Sequence, residues 1–222
     1  MDYLYETHMH TAEASACAVS GAAEQAAAYK RRGYAGIIVT DHFLNGPTTC
    51  PANWPWAQKM KRVVSGYAAA KQVGDRIGLD VFLGWEFTVK GSDFLTYGLG
   101  LDFLLAHPGL DKLSAAGYSA LVRKCGGYLA QAHPYRDAWY LQNKYPVRPN
   151  LVDGIEVRNA AEPDRNNAKA LAFARQHNLP CQAGSDSHDA NTLFFSGIKL
   201  KERAESVMDI VDAIRAGEAE VF

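Results

Sequence analysis

The sequence predicts an α/β fold with a largely parallel sheet, and two observations support this prediction. Short apolar strand candidates alternate with helical segments along the whole chain. No internal repeat, low-complexity tract or linker interrupts the alternation, so residues 1–222 are expected to form a single domain. The alternation favours a parallel sheet, but it leaves open whether that sheet closes into a barrel or stays open and doubly wound.

The first half of the chain contains four strand candidates and two helices. In the first helix, Ser20 is the expected N-cap and Gly33 is placed to end the helix. A loop rich in Trp and Pro, residues 45–56, precedes the second and longer helix. The predicted elements in chain order are strand 3–7, helix 22–32, strand 36–40, a helix ending near Gly78, strand 80–84 and strand 93–98.

The second half repeats this alternation. Gly126 stops one helix, and Pro134 ends the strand that follows it. Ser206 and Asp209 fit a capping box at the start of the last helix, which Gly217 ends. The predicted elements are helix 114–125, strand 128–132, strand 154–157, helix 163–177, strand 181–184 and a helix starting at Val207.

Composition excludes several classes of protein. The 23 Lys and Arg residues are balanced by 24 Asp and Glu residues, so a highly basic nucleic-acid binder is disfavoured. No apolar stretch approaches the roughly 18 residues that a membrane span requires, and no signal sequence opens the chain, so a cytoplasmic location is expected. The four cysteines contain no Cys-x-x-Cys pair and are expected to be buried thiols.

Metal-ligating side chains follow the predicted strands at their carboxyl ends. His8 and His10 lie two residues apart, so their imidazoles point the same way and can share one cation. In a barrel or a doubly wound sheet the carboxyl ends of the strands meet at one face. Nitrogen and oxygen donors without thiolate suit Zn, Mn or Fe. A carboxylate can bridge two ions, which a neutral imidazole cannot, so the donor set indicates a site with two or three divalent ions. The other candidates are His42 after Asp41, Glu86, His133 before Pro134, and Asp186 with His188.

This combination of motifs resembles the PHP family, named for polymerase and histidinol phosphatase, over nearly the whole chain. The resemblance implies a distorted (β/α)7 barrel of seven parallel strands with helices outside, a cluster of up to three ions, and hydrolysis of phosphoesters. It also implies a first ion bound by His8, His10, Glu86 and Asp186, and a second bound by Glu86 and His133.

The resemblance places His42 and His188 on a third ion. Many relatives supply one more ligand to that ion shortly after the first motif, and Glu13 is the nearest donor here. The alternative is that Glu13 is a solvated carboxylate in a loop and binds no ion. Relatives also carry a histidine on the second ion where this chain has Leu95. Asp41 is expected to orient a ligand rather than to bind metal.

We assign Glu86, His133 and His188 as catalytic residues: a histidine can protonate the leaving oxygen, and the resemblance places Glu86 between two ions. Arg136 is expected to bind a phosphate oxygen, with a surface salt bridge as the alternative. Arg158 and Asn159 are further substrate-binding candidates. Residues expected to lie outside the chemistry are His107 in a loop and His177 at a helix end.

The expected activity is hydrolysis of a small phosphomonoester by attack of metal-activated hydroxide. One alternative is a nuclease or phosphodiesterase acting on short oligonucleotides or nucleotides. Another is a non-catalytic, metal-bound regulatory module. Five aromatic residues in or near the loops at the barrel mouth are expected to stack on substrate or to close the mouth: Trp54, Trp56, Trp85, Tyr135 and Trp139.

Overall fold

The computed structural model describes residues 2–138, 141, 146–192 and 195–222. Seven α-helices and nine strands lie in these ranges. The strands are β1 (Tyr3–Met9), β2 (Gly36–Val39), β3 (Asp80–Val89), β4 (Ser92–Tyr97), β5 (Tyr128–Gln131), β6 (Gly154–Asn159), β7 (Cys181–Gly184), β8 (Ile198–Leu200) and β9 (Glu220–Val221). The helices are α1 (Ala22–Arg31), α2 (Trp56–Val63), α3 (Ser65–Ile77), α4 (Leu101–Ala106), α5 (Ala115–Lys124), α6 (Asp164–His177) and α7 (Val207–Ala216). None of the described helices has both the length and the apolar character needed to cross a bilayer.

The strands form one sheet in the order β7-β6-β5-β4-β3-β2-β1-β8-β9. Strands β1, β2 and β3 run parallel to one another, and so do β5, β6 and β7. The carboxyl end of β1 also meets that of β7, since Asp186 N donates to His8 O at 2.8 Å and His10 N donates to Ser187 O at 2.9 Å. The sheet therefore closes into a barrel at the end where the predicted ligands lie.

The prediction of seven parallel strands is wrong for β4, which runs antiparallel to both β3 and β5. Lys90 and Gly91 alone connect β3 to β4, and both have positive φ, 51° and 82°. A two-residue turn of this kind joins only antiparallel neighbours. Strands β8 and β9 were not predicted, and they extend the sheet in antiparallel pairs beyond β1.

Helix boundaries follow the predicted caps except at two positions. The long helix predicted to end near Gly78 is two helices, α2 and α3, divided at Val64, and it does end at Gly78 with φ 71°. The N-cap of α1 is Gly21 rather than Ser20. The hydroxyl of Ser20 instead accepts from Ala190 N at 3.0 Å, which ties the loop before α1 to the segment after β7. The capping box of Ser206 and Asp209 is present at α7.

A glycine in β7 allows this strand to approach β1 beside the barrel mouth. A Cβ atom at Gly184 would lie 2.5 Å from His8 Cβ and 2.9 Å from His8 N. Real Cβ atoms do not approach this closely, so the packing at this position requires glycine. Gly184 thus sets how near Asp186 can come to His8.

Candidate metal centre

Side chains from six strand ends converge at the mouth of the barrel. His8 and His10 leave β1 two residues apart, and Glu86 lies on β3 where that strand passes beyond β2. The converging residues are His8, His10, His42, Glu86, Asp93, His133, Asp186 and His188. Five of these eight side chains are buried, and those of His42, Asp93 and His188 are half-buried.

The central group contains His8, His10, Glu86 and Asp186. His8 Nε2 lies 3.2 Å from His10 Nε2 and 3.4 Å from Glu86 Oε1. Asp186 Oδ1 lies 3.1 Å from His10 Nε2 and 3.4 Å from His8 Nε2. Donors bound to one ion at about 2.1 Å in a tetrahedron are about 3.4 Å apart, so the spacing is that of a ligand set.

Hydrogen bonds on the far side of each ring fix the tautomers of His8 and His10. Glu156 is a buried carboxylate and can only accept from His8 Nδ1, at 2.9 Å. Ser15 Oγ donates to Asp41 Oδ1 at 2.7 Å, so the same oxygen must accept from His10 Nδ1, at 3.2 Å. In the neutral rings both Nε2 atoms therefore carry lone pairs, and these face each other among carboxylates.

This arrangement fits a divalent cation. When both rings are neutral, two facing lone pairs and two carboxylates repel one another unless a positive charge lies between them. In addition, His42 Nδ1 is buried without a well-formed hydrogen bond, although Glu86 Oε2 is only 2.8 Å away. The donors of this site match the preference of Zn, Mn or Fe for imidazole and carboxylate.

Charge coupling in the cluster is strong. Burial alone would raise the pKa values of Glu86 and Asp186, but nearby histidines, together with Arg136 beside Asp186, hold both well below the usual range. For His8, burial opposes the charged form, yet Glu156 and Asp186 raise the pKa well above its ordinary value. Ionised carboxylates are thus maintained in a buried site, which is the state that binds metal.

Sequence reasoning missed two acidic residues of the centre. Asp93 on β4 groups with Glu86 and His133, with Asp93 Oδ2 4.0 Å from His133 Nε2. It lies two residues before Leu95 on the same side of β4, and Leu95 itself is buried in the core opposite Glu86. Asp93 therefore offers an oxygen donor beside Glu86 and His133, close to the position where the resemblance led us to expect a histidine. The other missed residue is Glu156, which holds His8.

A third group consists of His10, His42 and His188. The ring of His10 lies 4.3 Å, centroid to centroid, from each of the other two rings. His188 Nδ1 lies 2.8 Å from the carbonyl oxygen of Asp186, which can only accept, so His188 Nε2 carries the lone pair. This leaves His188 Nε2 available to bind an ion rather than to carry the proton predicted for the leaving oxygen.

Glu13 lies away from this third group. Both of its carboxylate oxygens accept from Ala22 N, at 3.0 and 2.9 Å, at the amino end of α1. A carboxylate at this position satisfies a free backbone N–H and interacts favourably with the helix dipole. We therefore leave Glu13 out of the ligand set. Asp41 orients a ligand as expected, because it accepts from Ser15, which contacts His10.

The cysteines differ from the prediction of buried thiols. Cys17 and Cys125 are exposed, and Cys50 and Cys181 are half-buried. Cys17 lies at the third group, with its Sγ 3.1 Å from His188 Nε2. Burial raises the pKa of Cys17, but hydrogen bonds to His188 and His42 bring it down to about 7.

A cavity of about 690 Å³ opens onto the cluster. Metal-ligating candidates form its floor, and two cations, Lys90 and Arg136, lie on its wall. Arg136 Nε donates to Glu162 Oε1 at 2.6 Å, and its terminal nitrogen donates to Asp186. Arg136 thus lies at the cavity and is paired with two carboxylates, and its role in binding a phosphate oxygen stays a prediction.

Two predicted substrate-binding residues lie elsewhere. Arg158 is exposed on the opposite side of β6, beside a separate cavity near Arg175 and Phe222. Asn159 is buried, and its Nδ2 donates to Glu156 Oε2 at 3.0 Å. Asn159 therefore supports the carboxylate that holds His8 and does not reach the cavity. Two histidines were predicted to lie outside the chemistry. His107 Nδ1 lies 2.7 Å from Phe103 O, and the ring of His177 packs on Phe173.

The predicted aromatic lining is not found in the described part of the cavity, where no Phe, Tyr or Trp contributes to the wall. Trp85 is fully buried and donates to Tyr118 Oη at 2.7 Å. Trp56 donates to Leu104 O, whereas Trp54 is exposed. Tyr135 packs against the hydrophobic core, and Trp139 lies outside the described residues.

Comparison with known proteins supports the fold. The family profile PHP_C, described as PHP-associated, matches residues 164–219, which include α6 and α7. The chain matches no curated protein sequence.

Solved structures superpose on most or all of the chain. A two-domain Bacteroides vulgatus protein containing a PHP-like metal-dependent phosphoesterase gives a TM-score of 0.75 at 14% identity; the match covers the whole chain, which spans 65% of that protein. A Bifidobacterium adolescentis protein assigned as a metal-dependent phosphoesterase gives 0.58 at 16% identity, over 95% of this chain and 96% of that one. The lesion-specific endonuclease EndoQ of Pyrococcus furiosus gives 0.66 at 13% identity, over 100% of this chain and 58% of that one.

At these identities the superpositions establish the fold. They confirm the predicted PHP-type barrel and the resemblance to the PHP family.

Proposed function

We propose that this protein is a metal-dependent phosphoesterase that hydrolyses a small phosphomonoester. The observation that carries the proposal is the approach of His8 Nε2 and His10 Nε2 to 3.2 Å, among buried carboxylates at the floor of a cavity. Such a group of donors favours a divalent cation, and a cavity above it favours a reaction on a bound ligand.

Three overlapping ligand groups would hold the ions. Bound divalent ions supply a water of lowered pKa and neutralise negative charge on phosphate oxygens. Glu86 belongs to two of the groups and lies 2.8 Å from His42 in the third, so its carboxylate could be shared between ions. The first group is His8, His10, Glu86 and Asp186; the second is Glu86, Asp93 and His133; the third is His42 and His188, whose rings lie beside that of His10.

Arg136 is the residue best placed to orient a phosphate. Its guanidinium lies on the cavity wall and is held by Glu162 and Asp186, so little side-chain freedom is lost when a ligand binds. A guanidinium donates in a planar fork that matches phosphate oxygens. Lys90, at the tip of the β3–β4 turn, adds a second positive charge on the same wall.

The size of the cavity and the charge of the chain favour a small substrate. A volume of about 690 Å³ lies within the roughly 300–1,000 Å³ of small-molecule pockets. The chain has a net charge of -1, which offers no field for a long polyanion. The structural likeness to an endonuclease keeps phosphodiesters as the second candidate substrate class.

The test is a set of assays on the purified protein, first freed of metal and then loaded with Zn, Mn or Fe. We expect metal-dependent release of phosphate from monoesters, with little cleavage of dinucleotides or cyclic nucleotides. His10→Ala and Asp186→Ala should abolish activity, whereas His177→Ala should leave it unchanged, with circular dichroism confirming the fold of each variant. Preferred cleavage of diesters would favour the second candidate, and bound metal without turnover on any ester would refute a catalytic role.

A further inference from the structure

The loop between β1 and α1 holds Cys17 over the third ligand group. Ala16 N donates to Pro47 O at 2.7 Å on one side, and Val19 N donates to His188 O at 2.8 Å on the other. These two bonds link the residues flanking Cys17 to the segment after His42 and to His188 itself. Cys17 therefore has a defined position at the edge of the cavity, which it lines together with His42 and His188.

The thiol contacts the nitrogen that would bind an ion. Cys17 Sγ is 3.1 Å from His188 Nε2, the ring nitrogen left with a lone pair because Nδ1 is bonded to Asp186 O. Two ligands of a tetrahedral zinc ion, one nitrogen at about 2.0–2.1 Å and one sulfur at about 2.3 Å, lie about 3.5 Å apart. The observed separation is close to this value, so both atoms can bind one ion after a small movement.

The third group also needs another ligand. His10 has one free nitrogen, Nε2, which faces the first group, so two imidazoles, from His42 and His188, are left for a third ion. A catalytic zinc ion takes three protein ligands and a structural one takes four. Glu13 bonds to the amino end of α1 instead. Among the described residues that line the cavity, Cys17 is the one thiol.

We propose that Cys17 supplies a thiolate ligand to the ion held by His42 and His188, which makes the third site a two-nitrogen, one-sulfur site. This inference rests on the metal centre of the proposed function. It adds a prediction about metal selectivity, because a soft thiolate favours Zn²⁺ and Co²⁺, whereas Mn²⁺ prefers oxygen ligands. The third site should therefore differ in metal preference from the other two, whose donors are imidazole and carboxylate.

Titration of the metal-free protein with Co²⁺ tests the inference by absorption spectroscopy. A cobalt ion bound by thiolate gives an intense charge-transfer band in the near ultraviolet, whereas nitrogen and oxygen ligands give only weak visible bands. We expect the charge-transfer band in the wild type and in Cys125→Ser, an exposed cysteine outside the cavity, and its loss in Cys17→Ser. Cys17→Ala separates loss of the thiolate from any weak binding by the serine hydroxyl.

The outcomes distinguish this inference from the proposed function. Weak visible bands without a charge-transfer band would overturn the role of Cys17 and leave the metal centre intact. Absence of any cobalt spectrum would refute the metal centre, and the inference with it.

Alkylation provides a second readout that does not depend on the spectrum. Iodoacetamide should modify both Cys17 and Cys125 in the metal-free protein, since both are exposed. Zn²⁺ should slow modification of Cys17 at least tenfold and leave Cys125 unchanged, as measured by peptide mass spectrometry. Equal modification of Cys17 with and without Zn²⁺, at an occupancy confirmed by metal analysis, would contradict thiolate ligation.

Discussion

Replacing Glu156 by Gln should weaken metal binding although Glu156 touches no proposed ion. The carboxylate accepts three hydrogen bonds: from His8 Nδ1 at 2.9 Å, from His133 N at 2.9 Å and from Asn159 Nδ2 at 3.0 Å. Glutamine has nearly the same shape but only one acceptor oxygen, and its second terminal atom is a donor. No orientation of the amide can therefore serve all three donors.

Both orientations harm the site. If the amide nitrogen faces His8, Nδ1 must accept, which places the hydrogen on Nε2 and removes the lone pair that binds metal. If the amide nitrogen instead faces His133 N and Asn159 Nδ2, donors oppose donors in a buried position, which costs about 1–3 kcal/mol of stability. Loss of a partner behind a metal-bound histidine lowers metal affinity by about 10- to 100-fold. This loss equals about 1.4–2.7 kcal/mol.

The assay is competition between the protein and a chromophoric chelator for Zn²⁺, with circular dichroism as the check on folding. Glu24→Gln is the matched control, because Glu24 is an exposed carboxylate that bonds Gly21 N at the start of α1. Wild-type zinc affinity in a folded Glu156→Gln variant would refute the argument that Glu156 fixes the tautomer of His8.

Two other substitutions test the packing and the cavity wall. Gly184→Ala should lower the free energy of unfolding in urea by about 1–3 kcal/mol and lower the metal content, because the added Cβ would meet His8 2.5 Å away. Gly100→Ala is the control, because a Cβ there has no atom within 4 Å. Equal stability of the two variants would count against the packing argument. Arg136→Met should raise KM for a phosphomonoester about tenfold, which corresponds to a loss of about 1.4 kcal/mol of binding free energy. Arg158→Met should leave steady-state kinetics unchanged, because Arg158 lies outside the cavity. An equal effect of both substitutions would refute the placement of the substrate beside Arg136.

Residues at strand ends were the predictable part of the site. His8 and His10 could be paired because side chains alternate along a strand, and His133 and Asp186 could be placed because each follows a short apolar segment. Parallel strands bring their carboxyl ends to one face whatever the separation along the chain. This rule is local, so it needs no knowledge of which strands are neighbours.

Asp93 could not be predicted by this rule. Its place in the site depends on β4 running antiparallel, with Asp93 directly opposite Thr88 of β3. A parallel strand at this position would have been expected to present its ligand at the carboxyl end instead. The signal available in the sequence is the turn at Lys90 and Gly91, since a glycine between two apolar segments is typical of a two-residue hairpin.

The error at Arg158 has a different physical cause. Counting by two from Glu156 places Arg158 on the inner side of β6 and Asn159 on the outer side. The pairing of β6 with β7 shifts register between Glu156 and Arg158, so the alternation is broken there. Arg158 consequently faces solvent, and Asn159 faces the interior. Such an irregularity depends on the neighbouring strand and has no signature in the segment itself.

Anomalous X-ray diffraction from crystals of the zinc-loaded protein, collected at the zinc absorption edge, tests the central claim most directly. We expect an anomalous peak about 2.0–2.2 Å from His8 Nε2, His10 Nε2 and a carboxylate oxygen of Asp186. A zinc-saturated solution that yields crystals without an anomalous peak among these side chains would contradict the account.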